Sequence, residues 1–397
     1  MYKAPLHIFV IWHPKFKQGL RYAEGIYSQY TRSISEPLAR GIGIPVFFRC
    51  HASKGEYPMP MDLSQAEYNA IVILVDDNAV VEWREYIDNI NKQVEIDNGD
   101  NRVFPISLTS NFSKAGDNIS RRNFIRLHDE KNSFNMRSKL LLSQLTHELC
   151  RMLLNKPRIA ETSNSTTKLS PAPVSLFISH AKRDGEQIAE KIKAHTDAHK
   201  PMDTFFDRVD IASGFKFKEE IEGNIKKSAL LVVQTDSYSS REWCRWEVLN
   251  AKKVGKPVVV INAIEEGEER SFPYLGNVPT IRWKRKSSKQ EPEQIERILS
   301  FTLYEILRYT YTEMYLTSLN RLTSITGTKK PKILSSPPEL LTLLEKSVET
   351  KTKGKIVIYP DPPLTAEEMK LLNEVSDDYA YLTPTLLLAY DEVKDNE

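Results

Sequence analysis

Short apolar runs punctuate the chain at 8–11, 70–75, 103–106, 176–178, 229–233 and 258–261. They are rich in Val, Ile and Leu and apolar throughout, the pattern of strands buried on both faces of a parallel sheet. Amphipathic stretches such as 22–26 and 188–192 lie between them. This alternation predicts an α/β fold, with parallel sheets wrapped by helices.

The pattern occurs twice, in the same order. Ile8-Phe9-Val10-Ile11-Trp12-His13 leads to Tyr22-Ala23-Glu24-Gly25-Ile26, as Leu176-Phe177-Ile178-Ser179-His180 leads to Ile188-Ala189-Glu190-Lys191-Ile192. The run at 70–75 is followed by Asp76, Asp77, Glu82 and Trp83, and the run at 229–233 by Thr235, Asp236, Glu242 and Trp243. Val103-Phe104-Pro105-Ile106 matches Val258-Val259-Val260-Ile261, and Ile125-Arg126 matches Ile281-Arg282. Glu148-Leu149-Cys150-Arg151 matches Glu305-Ile306-Leu307-Arg308. Collinear matches about 160 residues apart mark a duplicated domain, not a solenoid.

The expected organisation is therefore a first domain at 1–155, an exposed Ser/Thr/Pro-rich linker at 156–173 and a second domain at 174–312. Residues 313–397 read as a small α/β appendage, too short to stand alone and packed on the second domain. It is expected to hold strands at 355–359 and 378–382, a helix opened by the capping box of Thr365 and Glu368, and a closing helix at 384–390.

The charge balance is close to even, net +2, which gives no reason to expect nucleic acid or a membrane as the main partner. The cluster Arg282, Lys284, Arg285, Lys286 and Lys289 reads as a solvated loop. Cys50, Cys150 and Cys244 form no CxxC pair, which fits reduced thiols. No apolar stretch approaches the ~20 residues that span a bilayer, and the start does not read as a signal peptide. A soluble, cytoplasmic protein is expected. Neither a GxGxxG fingerprint, a P-loop nor a GxSxG elbow is present, which argues against a dehydrogenase or an NTPase. His195 and His199 are four residues apart but lack the glutamate of a His-Glu-x-x-His site, so no metal is expected.

The second copy resembles the Toll/interleukin-1 receptor (TIR) family. Residues 174–180 look like its first strand, residues 205–214 like its second strand and following loop, and Ser240-Arg241-Glu242-Trp243-Cys244-Arg245-Trp246-Glu247 like its Ser-x-x-Trp-Cys-x-x-Glu box. The resemblance implies two tandem flavodoxin-like/TIR parallel-sheet domains. In such sheets ligands bind beyond the carboxyl ends of the strands, where the loop before the box is delivered. Trp243 and Glu247, four apart on the next helix, are expected to share one face at the mouth of the crevice.

The resemblance further implies an NAD+ nucleosidase. Glu247 is then the catalytic carboxylate, and Ser179, His180, Asp207, Phe215, Ser240 and Trp243 line the pocket. NAD+ is a substrate, and no separate cofactor is needed. Ile87 falls opposite Glu247, so the first copy lacks the carboxylate, whereas His13 aligns with His180. Among bacterial relatives the implied setting is anti-phage defence by NAD depletion and shutdown of the host cell. Self-association through TIR domains and an activating partner protein are implied with it. The alternatives are a cyclase making cyclic ADP-ribose, a non-enzymatic TIR scaffold, and a crevice that senses a nucleotide without cleaving it.

Overall fold

The computed structural model describes the chain apart from residues 1, 34, 36–40, 52–56, 97–99, 129–132, 155–157, 163–164, 170, 200–201, 206–216, 286, 288, 322–330, 344–354, 376–378 and 388–397. The first domain runs β1 (Ala4–Trp12), α1 (Gly19–Tyr30), β2 (Val46–Arg49), β3 (Ala66–Val75), α2 (Asp77–Glu82), α3 (Arg84–Ile96), β4 (Asn101–Ser107), β5 (Ile125–Arg126) and α4 (Phe134–Leu154). Its strands are parallel, in the order β2-β1-β3-β4-β5. After β6 (Arg158–Thr162) and β7 (Ser165–Leu169) the design repeats with β8 (Val174–His180), α5 (Glu186–His199), β9 (Met202–Phe205), α6 (Phe217–Ile225), β10 (Ala229–Gln234), α7 (Glu242–Lys253), β11 (Val258–Asn262), β12 (Thr280–Arg282) and α8 (Glu291–Asn320). The second sheet has the equivalent parallel order, β9-β8-β10-β11-β12.

The uninterrupted apolar runs are explained by burial on both faces. Phe9, Ile11, Ile71 and Ile73 pack with Ile87 and Ile90 of α3, while Ile8, Val10, Val72 and Leu74 face α1 and α4. In the second sheet Phe177, Leu230 and Val232 face α6 and α7, and Leu176, Ile178, Leu231 and Val233 face α5 and α8.

The helix that closes each copy also joins the copies. α4 and α8 pack in one continuous core, where the Cys150 thiol donates to Leu303 O at 3.3 Å and Ser300 Oγ meets Ser143 Oγ at 3.0 Å. The matched pairs Glu148–Arg151 and Glu305–Arg308 form the same (i, i+3) ion pair, at 2.8 and 2.7 Å. The repeat seen in the sequence is thus repeated in the side-chain contacts.

Three features differ from expectation. The linker is not featureless, because β6 and β7 pair antiparallel. The β-branched Thr162, Thr166 and Thr167 favour that extended form. α8 does not stop at residue 312 but runs to Asn320, since no Gly or Pro interrupts it after Pro292 in its first turn. The appendage gains a strand, β13 (Lys332–Ile333), and a short helix, α9 (Leu340–Leu343), before β14 (Lys355–Ile358), α10 (Ala366–Val375) and β15 (Tyr379–Leu382).

β13, β14 and β15 form a parallel sheet whose Ile358 packs, with Leu387, on Leu316 and Leu319 of the α8 extension. The capping box is present, with Thr365 N donating to Glu368 Oε2 at 2.9 Å and Glu368 N to Thr365 Oγ1 at 3.3 Å. A helix starts at residue 384, and the end expected for it at 390 lies outside the described residues. Among the described residues no helix is long and apolar enough to cross a membrane.

Candidate functional site

β8 ends in Ser179 and His180 at the carboxyl rim of the second sheet, with Ser179 beside Val232 of β10. α7 lies over this rim and turns Cys244, Glu247, Val248 and Ala251 toward the sheet. Three of these suit an apolar face. The fourth is a carboxylate, and Glu247 is only 4% exposed.

A buried carboxylate needs donors, and the strand beneath supplies one. Ser179 Oγ donates to Glu247 Oε2 at 2.5 Å and lies 2.6 Å from Tyr238 OH. The serine hydroxyl has one proton, which goes to the carboxylate, so Tyr238 donates to Ser179. Burial holds the Tyr238 phenol well above its ordinary pKa, with Cys244 and Glu247 adding to the effect, so it stays a neutral donor. The result is a relay from phenol to hydroxyl to carboxylate in a setting where such bonds reinforce one another.

The loops around this relay are tied down by other carboxylates. Asp184 accepts from Thr235 Oγ1 and Ser237 Oγ, both at 2.6 Å, and from Ser237 N at 3.0 Å. Burial opposes its ionisation, but these bonds outweigh burial and hold its pKa below the usual carboxylate value. Asp236 accepts from the backbone N–H groups of Glu265, Glu266 and Gly267. Glu268 accepts from Ser239 Oγ at 2.5 Å and Gln234 Nε2 at 2.9 Å.

Of the residues expected at the site, Ser179 meets Glu247 directly. His180 is buried next to it, and its carbonyl lies 3.5 Å from Cys244 Sγ. Trp243 and Glu247 do not form the expected pair at a crevice mouth. Glu247 turns inward, whereas Trp243 is 49% exposed and lies edge-on to Trp246, with ring centroids 5.4 Å apart. Four residues on a helix advance about 400°, enough to carry one side chain from the rim of the buried face to its centre. Ser240 is exposed and donates to Ser237 O at 2.7 Å, closing the turn ahead of α7. Asp207 and Phe215 lie outside the described residues. His195 Nε2 is 2.8 Å from Glu296 Oε1, joining α5 to α8.

Tyr238 escaped the sequence reading, because only the fold shows that this loop residue reaches the end of β8. Its one sequence signal is its place just after Asp236 and Ser237, at the carboxyl end of a buried strand.

The first copy needs two corrections. Ile8 pairs with Ala70 and Leu176 with Ala229, so Ile11 takes the place of Ser179 and Trp12 that of His180. His13 falls one residue further on, where it pairs with Glu82 at 3.3 Å and packs edge-on against Trp83. A one-residue slip reverses sheet faces, so the two histidines are not equivalent. On the helices, the buried residues Ile87, Ile90, Asn91 and Val94 repeat the spacing of Cys244, Glu247, Val248 and Ala251. Ile90, not Ile87, therefore stands opposite Glu247. The absence of a carboxylate there holds under either alignment.

Residues 176–299 match the family model described as TIR domain. Among solved structures, the chain is similar to the TIR domains of the activated Roq1 resistosome directly recognizing the pathogen effector XopQ. The identity is 17%, covering 35% of this chain and 83% of that one, with a TM-score of 0.21. It is also similar to PH0766 from Pyrococcus horikoshii OT3, at 11% identity over 78% of this chain and 65% of that one, with a TM-score of 0.29. No curated protein matches the chain.

Proposed function

With residues 176–299 a TIR domain, we propose that this domain is an NAD+ nucleosidase in which Glu247 acts on the bond between nicotinamide and ribose. The observation that carries this reading is a carboxylate buried at the carboxyl rim of a parallel sheet and held by Ser179. Cleaving the glycosidic bond sends its electron pair to nicotinamide and leaves positive charge on the ribose. A fixed carboxylate stabilises that charge, as in glycoside hydrolysis, and desolvation strengthens the effect. Water then adds to the ribose carbon and loses a proton, giving ADP-ribose. Nicotinamide leaves neutral, so the step needs neither a metal nor a strong general acid.

In this proposal Ser179 and Tyr238 hold the carboxylate in place, while His180, Trp243, Ser240, Asp207 and Phe215 contribute to the substrate pocket. The first domain is a non-catalytic partner. Silence until a signal arrives, self-association and an activating partner protein belong to the same reading, with a role in anti-phage defence by NAD depletion. Wild-type and Glu247→Ala protein incubated with NAD+ at high protein concentration, with nicotinamide release followed by chromatography, test it. Release by the wild type alone is expected, and equal behaviour of the two proteins would overturn it. The same chromatograms separate ADP-ribose from its cyclic form.

The burial of Glu247 also favours a second reading, a TIR scaffold in which Ser179, Tyr238 and Glu247 are a structural polar cluster. On that reading the wild type leaves NAD+ intact.

A further inference from the structure

The helix that carries Glu247 is held at its far end by the appendage. α7 runs from Glu242 to Lys253, which puts Lys252 about 7–8 Å along the axis from Glu247, toward the strand-entry rim. Lys252 Nζ donates to both carboxylate oxygens of Glu339, each at 2.9 Å. The two side chains are only 8% and 19% exposed, whereas the neighbouring Lys253 is in solvent. α9 begins just after Glu339 and packs against α7.

The rest of the appendage is fixed to α8. Ile358 and Leu387 pack on Leu316 and Leu319, and the buried Ser335 hydrogen-bonds the Tyr309 hydroxyl. α8 shares a core with α4 and covers the opposite face of the sheet from α7. The appendage thus reaches from the helix that joins the domains to the helix that bears the carboxylate. A cavity of about 310 Å³ beside the ion pair, lined in part by Gly255, Pro257, Tyr309 and Leu334, leaves the end of α7 room to shift. With Ile90 matched to Glu247, the first copy has Glu95 in place of Lys252, so the lysine goes with the copy that has the buried carboxylate.

We propose that Lys252 and Glu339 are positioning residues for Glu247, and that the appendage is a strut that seats α7 over Ser179. The proposal rests on the reading of Glu247 as the catalytic carboxylate. Separating a buried lysine from its glutamate strands a charge, so the pair holds one geometry. A displacement at Lys252 is carried along the helix, and misplacing a reacting group by about 1 Å can lower a rate about a hundredfold.

Glu339→Gln and the double variant Lys252→Met with Glu339→Gln test it in the full chain, by NAD+ turnover, thermal midpoint and hydrogen exchange of the α7 amides. The single variant strands the lysine, and the double variant removes the stranded charge. In both, α7 amides are expected to exchange at least tenfold faster, and kcat to fall at least tenfold with KM within twofold. The double variant should regain the thermal midpoint that the single variant loses, but not kcat, which separates positioning from stability. It also keeps the test valid should Glu339→Gln not fold. Wild-type exchange rates in α7 of the variants, or a double variant that regains kcat along with its midpoint, would overturn the proposal. Absence of turnover in the wild type would instead contradict the reading of Glu247, and the exchange rates would still decide whether the appendage holds α7.

Discussion

The two parallel domains share strand order, crossover pattern and closing helix, yet differ at a buried point beside the carboxyl rim. Where the second copy places Glu247 on Ser179, the first packs Ile90 with Ile11. The first copy shows that this fold closes over an apolar pair, with no need for a charge there. Burying a carboxylate costs free energy unless its partners offset the cost. The second copy carries that cost, with a serine and a tyrosine placed to meet it. The proposed chemistry rests on this buried carboxylate.

Exchanging the critical residue breaks the comparison most severely. Ile90→Glu in the first domain puts a carboxylate over Ile11 with no hydroxyl beneath it. It is expected to lower stability by roughly 3–5 kcal/mol, the cost of an uncompensated buried charge, read from the urea midpoint. A loss under 1 kcal/mol would mean that the first copy tolerates the charge and that Ser179 is dispensable.

Ser179→Ala is a milder change in the second domain. It removes the donor from Glu247 and the acceptor from Tyr238, at a cost of about 1.5–3 kcal/mol for a bond to a charged group. NAD+ turnover should fall with it, because the carboxylate is then unheld. Unaltered stability and turnover would remove Ser179 from the account.

The smallest effect concerns acid. The Asp184 carboxyl sits below its ordinary value of 3.8 in the folded chain, so the ionised form stabilises the fold above that pH. That contribution is lost as pH falls through the lower, folded value. Acid unfolding below about pH 4 should therefore flatten in Asp184→Asn, followed by circular dichroism. A curve identical to the wild type would show that the tie to Thr235 and Ser237 adds no stability.

Much of the fold was legible because burial on two faces leaves unbroken apolar runs, and the duplication doubled the signal. The site was legible in part. Glu247 and Ser179 stood out as motif residues, but Tyr238 joins them only through the fold. Matching His13 to His180 by identity misled, since strand pairing and not residue likeness sets which face a side chain takes. The exposure of Trp243 was hidden for a similar reason, because four residues on a helix share a side only approximately. The β6–β7 hairpin was masked by a polar composition that reads equally as coil.

The most direct test compares the NAD+ turnover of wild-type and Glu247→Gln protein at matched concentration, with thermal midpoints taken alongside. Glutamine keeps the shape and accepts from Ser179 but carries no charge. A fall in nicotinamide release of about a hundredfold or more, with the fold intact, is expected. Undiminished release by the glutamine variant would contradict the role given to the carboxylate.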